Sequence, residues 1–220
     1  MQQTKAPVPP SEYQEGTIAT MDGAALMRIL KDPASTEFQK AKACTRAGEL
    51  GWKEAVPVMA TMLSDEKMNV YARYGMEPIA DPSVDETLRA ALPKLKGNFQ
   101  IGVINSIGKR RDAKAIPALA RLMAGPDVEV AKASAAALGG IGGLAAEKEL
   151  RAALSKSKAG LRMAVADACL ICAERLLADG QRAPALALYA TLSASDMPKP
   201  VRLAAMQGII REETSVTRPR

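Results

Sequence analysis

Residues 128–142 read VEVAKASAAALGGIG. Most of these residues are small or unbranched helix formers, and the run closes on glycines of the kind that follow a helix C-terminus. Small side chains also allow two helices to pack closely against each other. The stretch therefore predicts an α-helix in a helix–helix interface, and weaker copies of it occur at residues 98–108 and 201–210.

The copies belong to a repeat. Apolar anchor positions recur near the ends of these helices in steps of 26, 31, 31 and 31 residues, at Leu50, Met76, Ile107, Leu138 and Cys169. A second series, from the other helix of each pair, runs through Leu63, Leu92, Leu122, Leu154 and Leu192. A fixed period of about 30 residues with two helices per period is typical of a helical solenoid.

Local signals agree with paired helices. Prolines occupy early-helix positions at Pro57, Pro117 and Pro184, where the missing N–H costs little. Aspartates that can cap the following helix lie in the connections, at Asp65, Asp81, Asp112 and Asp127. We expect glycines to stop the second helices at Gly51, Gly108 and Gly139.

The pattern V-x-x-A-A-x-A-L-G-x-I-G resembles the HEAT-repeat family, including bacterial proteins with repeats of the phycobilin-lyase type, and the resemblance covers residues 22–211. It implies an all-α, armadillo-like fold: a right-handed α-solenoid of about six helical hairpins. We expect these near 22–51, 52–79, 82–109, 113–142, 144–179 and 181–211. Residues 1–21 and 212–220 are predicted to be flexible, and residues 173–193 resemble a tetratricopeptide hairpin at the fifth-to-sixth junction.

Composition narrows the function classes. The chain has no histidine, which removes the commonest general base and metal ligand. Iron-dependent HEAT hydroxylases use His-Glu motifs that are absent here, so the sequence predicts a protein that is not an enzyme and needs no cofactor or metal. No apolar run approaches a membrane span. We expect a soluble protein, periplasmic if a signal peptide preceded residue 2, and the compartment and oligomeric state stay open.

Two potential catalytic patterns have simpler explanations. Cys169 and Cys172 form C-x-x-C, but zinc prefers four ligands and the third cysteine, Cys44, is 125 residues before Cys169. The pair is predicted to lie in the core, with redox chemistry as the second interpretation. Paired acids such as Asp85 and Glu86 lie at helix starts, where they interact favourably with the helix dipole.

The least regular second helix, NVYARYGMEPI at residues 69–79, carries large polar side chains. The resemblance implies that second helices line the concave face of the solenoid. Tyrosine and arginine are favoured anchors at protein interfaces. We therefore predict a partner-binding patch of Tyr71, Arg73, Tyr74, Glu77, Asn105 and Asp167.

Basic residues provide the alternative. The net charge is +6, and lysines and arginines cluster at helix junctions, at Lys109, Arg110, Arg111, Lys156, Lys158 and Arg162. If stacking brought these junctions onto one edge, the cations could follow a phosphate backbone. Aromatic residues for base stacking are scarce, at 3%. The favoured prediction is a protein-interaction scaffold that binds a partner or a neighbouring domain through its concave face, with nucleic-acid binding possible but not favoured.

Overall fold

A computed structural model of the protein describes residues 18–157, 159–194 and 196–216, and within them every regular element is a helix. The first six α-helices are α1 (Gly23–Lys31), α2 (Glu37–Glu49), α3 (Val56–Thr61), α4 (Asn69–Met76), α5 (Pro82–Ala91) and α6 (Gly97–Arg110). The next six are α7 (Ile116–Met123), α8 (Val128–Ile141), α9 (Gly143–Lys156), α10 (Ala159–Ala178), α11 (Arg182–Leu192) and α12 (Lys199–Val216). The predicted fold class, an all-α helical-repeat fold, is confirmed within the described residues.

The chain forms two compact units, with the boundary between Ala91 and Leu92. In unit 1, the second helices α2 and α4 pack against each other, and α3 packs against α4 and α5. In unit 2, α6, α8 and α10 pack in sequence, while α7, α9 and α11 each contact the helix that follows. The boundary falls inside the third predicted hairpin. The last helix also continues to Val216, past residue 211 where the repeat region was predicted to end.

Neighbouring second helices in unit 2 approach each other at glycines. A Cβ atom at Gly139 would lie 2.6 Å from the backbone oxygen of Ala168 in α10. A Cβ at Gly108 would lie 2.8 Å from the Cα of Ala137 in α8. The prediction that these two glycines stop their helices is wrong, because α6 and α8 both continue beyond them and the absent side chains make room for the next helix. Gly51 does follow its helix, with φ at +63°.

Four of the five predicted anchors form the core. Met76, Ile107, Leu138 and Cys169 are completely buried. Leu50 is 44% exposed, and its assignment as an anchor is wrong. Helix α2 ends at Glu49, so Leu50 follows the helix rather than belonging to its buried face, and the core positions near that end are Cys44 and Ala47.

The predicted aspartate caps are present. The Asp127 carboxylate accepts hydrogen bonds from the backbone N–H groups of Glu129 (3.0 Å) and Val130 (3.1 Å) at the start of α8. Other aspartates accept from N–H groups two or three residues later in the same way, namely Asp65, Asp81 and Asp112. Each removes a donor that would otherwise lack a partner at the beginning of a helix or turn.

Candidate functional site: a groove beside Tyr71

The predicted tyrosines of α4 are exposed on unit 1. Tyr71 is 44% and Tyr74 58% exposed, while their neighbours Ala72, Gly75 and Met76 are buried. The helix therefore presents one face to the core and its aromatic residues to solvent. The half-buried Arg73 places its guanidinium carbon 5.6 Å from the centre of the Tyr74 ring, a cation–π contact. Glu77 is half-buried at the C-terminal end of α4.

Tyr71 lines a groove of about 590 Å³ between α2 and the α4 segment. The α2 side is formed by Glu37, Phe38, Ala41, Lys42 and Thr45, and the other side by Lys67 and Tyr71. We refer to this surface as the Tyr71 groove. The α2 residues were not predicted as site residues. Their spacing of one, three and four residues places them on one helix face, and this spacing is the sequence feature that could have identified them.

The groove has an aromatic lining and a positive rim. The Lys42 ammonium lies 5.6 Å from the centre of the Phe38 ring. At the other end, the Lys67 ammonium contacts the Glu37 carboxylate, and this hydrogen bond raises the pKa of Lys67. Two cations therefore face one carboxylate around the groove.

The remaining predicted patch residues belong to unit 2. Asn105 on α6 and Asp167 on α10 are both exposed, as is Ala136 on the intervening α8. The three positions are 31 residues apart, so they occupy equivalent places on successive second helices. Desolvation by the helix surface raises the pKa of the Asp167 carboxyl. Asn105 and Asp167 therefore occupy equivalent positions in their repeats. Their role in binding stays a prediction.

Arg111 has a structural role in unit 2. Its Nε donates a hydrogen bond to the backbone oxygen of Ile141 (3.2 Å), and its Nη2 contacts the Asp179 carboxylate at 2.9 Å. The residue adopts the left-handed conformation, with φ at 57°, after the C-terminus of α6. One side chain thereby links the C-terminal ends of α6, α8 and α10.

The predicted basic clusters lie at opposite ends of the unit 2 helices. Lys109, Arg110 and Arg111 lie at the C-terminus of α6, whereas Lys156 ends α9 and Arg162 lies near the N-terminus of α10, where it contacts Asp196. Arg111 contacts Asp179 just after the C-terminus of α10, whereas Arg162 lies 17 residues earlier in that helix, roughly 25 Å away along its axis. The single ridge of cations expected from the sequence is therefore not formed by these two clusters. Lys158 lies outside the described residues, and phosphate binding by the clusters stays a prediction.

The cysteines are core residues. Cys44, Cys169 and Cys172 are completely buried free thiols, and burial raises the pKa of each to about 12. In the described part of the chain, no group of three or more Cys, Asp or Glu side chains is arranged to hold a metal. The core interpretation of the C-x-x-C pair agrees with this burial. No helix among the described residues is long and apolar enough to cross a membrane.

The chain resembles known proteins in structure rather than in sequence. No family model and no curated protein matches the chain. The chain is similar to human deoxyhypusine hydroxylase in complex with glycerol, at 18% identity and a TM-score of 0.43, over 87% of this chain and 73% of that one. At this identity no activity is carried over, and membership of the HEAT family stays a prediction.

The comparison nevertheless corrects one prediction. The sequence was interpreted as that of a protein that is not an enzyme, chiefly because it lacks histidine. The similar solved structure is that of an enzyme, a hydroxylase. The prediction that the chain is not an enzyme is therefore wrong as stated.

Proposed function

We propose that this protein binds a partner protein, or a neighbouring domain of a longer polypeptide, through the Tyr71 groove and the adjoining surface of α4. The observation that carries the proposal is the concentration of aromatic side chains there. Aromatic residues make up only 3% of the chain, yet Phe38 and Tyr71 line the same groove and the exposed Tyr74 lies three residues after Tyr71 on α4.

The chemistry of this surface suits protein recognition. Tyrosine and arginine are enriched among residues that dominate binding energy, because each combines a large contact area with a polar group. Tyr71 and Tyr74 are 44% and 58% exposed, whereas the buried Tyr189 of α11 packs against Gly208 and donates a hydrogen bond to Glu174. Stability of the fold does not require an exposed aromatic pair beside a groove, whereas recognition of a partner does use such a pair.

For unit 2 taken by itself, we propose Asn105 and Asp167 as separate partner contacts. Both side chains are exposed, which supports this part of the proposal. Nucleic-acid binding receives no comparable support. Arg111 contacts protein groups, and Lys109 to Arg111 lie at a helix C-terminus, where the helix dipole disfavours an anion.

Site-directed photo-crosslinking tests the proposal. A photoreactive phenylalanine derivative is introduced at Tyr71 or Tyr74, and for comparison at Leu144, which is 55% exposed on α9. Each variant is irradiated in cells of the source organism. We expect the same discrete adduct from positions 71 and 74, reduced by excess wild-type protein, and no such adduct from position 144. Equal labelling from all three positions, or none from 71 and 74, would overturn the proposal.

A further inference from the structure

We infer that the Tyr71 groove accepts a short acidic segment of the partner, which presents one apolar side chain to the aromatic lining and a carboxylate to Lys42. The inference rests on the proposed function and adds the chemistry of the partner. It follows from three properties of the groove: its length, its apolar lining and the charges at its rim.

The dimensions of the groove fit a short segment. Its α2 side extends from Glu37 to Thr45, eight residues along the helix, or about 12 Å. About four extended residues, or two turns of helix, cover that distance. The groove is thus suited to one linear segment with a single central anchor.

The lining favours an apolar anchor. Phe38, Ala41 and Tyr71 contribute aromatic and aliphatic surface to the groove. The Thr45 hydroxyl donates its hydrogen bond to the backbone oxygen of Ala41, so its proton is not available to a ligand. An aliphatic or aromatic side chain in this groove would remove apolar surface from water on both partners.

The rim favours a carboxylate beside Lys42. Within the described residues no carboxylate contacts the exposed Lys42 ammonium, whose recorded contact is with the Phe38 ring. Lys67 is paired with Glu37, and the two side chains are 69% and 61% exposed. A carboxylate near Lys42 gains an ion pair and lies away from Glu37, whereas a basic segment would meet two lysines.

Fluorescence anisotropy with two labelled peptides tests the inference on the full chain. Both peptides are eight residues long and share a central Leu-Phe pair, flanked by glutamates in one and by lysines in the other. We expect the acidic peptide to bind at least tenfold more tightly. Lys42→Glu should weaken its binding at least fivefold, whereas Lys40→Glu, the same charge change on α2 outside the groove lining, should alter it less than twofold.

The variants separate failure of the inference from failure of the proposed function. If both peptides bind equally and lose binding with Tyr71→Ala, the acidic preference is wrong while the groove remains a binding site. If Lys40→Glu and Lys42→Glu weaken the acidic peptide equally, the attraction is to net charge and the inference is overturned. Absence of saturable binding by the acidic peptide also overturns it, and the crosslinking experiment then decides separately whether the groove binds a partner.

Discussion

Gly139→Ala should destabilise the protein although alanine is the better helix former. The added Cβ would lie 2.6 Å from the backbone oxygen and 3.0 Å from the Cα of Ala168, so α8 and α10 must separate. Overpacking of this kind costs about 1–3 kcal/mol. The gain in helix propensity offsets about 1 kcal/mol of it. The difference is a net loss of up to about 2 kcal/mol in the free energy of unfolding, and we expect the upper part of this range because the clash is with backbone atoms.

Gly160→Ala is the matched control. Gly160 lies in the first turn of α10, and no atom beyond its chain neighbours and the backbone of its own helix lies within 4 Å of its potential Cβ position, so the substitution gains propensity without a clash. Urea denaturation followed by circular dichroism at 222 nm gives the global stabilities, and hydrogen exchange of peptides from α8 and α10 locates the change. If Gly139→Ala were as stable as Gly160→Ala, with unchanged exchange in both helices, the close-approach explanation would be refuted.

Three further predictions concern caps, thiols and pH. Asp127→Ala removes the N-cap of α8 and should lower the unfolding free energy by about 1 kcal/mol in urea titrations, whereas the neighbouring Glu129→Ala should change it less. The three buried thiols should resist a disulfide reagent at pH 8 in the native protein and react fully in denaturant; rapid native labelling would contradict their burial. Partial burial raises the pKa of Glu174, but hydrogen bonds from Tyr189 and Arg211 outweigh this effect and lower it. Glu174 therefore stabilises the fold above the pKa that it has in the unfolded chain, and this stabilisation is lost as the pH falls through its pKa in the folded protein. Tyr189→Phe should flatten the decline of the unfolding free energy between about pH 5 and pH 3. An unchanged slope would contradict this prediction.

The sequence predicted the all-α helical-repeat fold because its helices are encoded locally and repeatedly. Each repeat has its own helix cap and its own buried positions, as Asp127 and Leu138 illustrate. A regular spacing of about 31 residues allows the buried position of one repeat to be assigned from its neighbours, even where the local sequence is irregular. The failure at Leu50 coincides with the one irregular step of 26 residues, where the repeat no longer fixed the register.

Contacts between helices were less predictable. Glycine near the end of an apolar run is compatible with a helix stop or with close packing, and sequence alone did not separate these roles for Gly108 and Gly139. The groove was half predicted: Tyr71 stood out in an unusual helix, whereas Phe38 and Lys42 lie in an ordinary one. Their significance comes from the packing of α2 against α4, which joins residues about 30 positions apart.

The most direct test of the proposed binding site is the affinity of the crosslinked partner, once purified, for groove variants. Tyr71→Ala combined with Tyr74→Ala should raise the Kd at least tenfold in calorimetry while leaving the thermal midpoint nearly unchanged, because both side chains are exposed. Ile171→Ala, which truncates an exposed apolar residue on α10, should change the Kd less than twofold. An unchanged Kd for the double variant, with its fold intact, would contradict the assignment of the Tyr71 groove as the binding site.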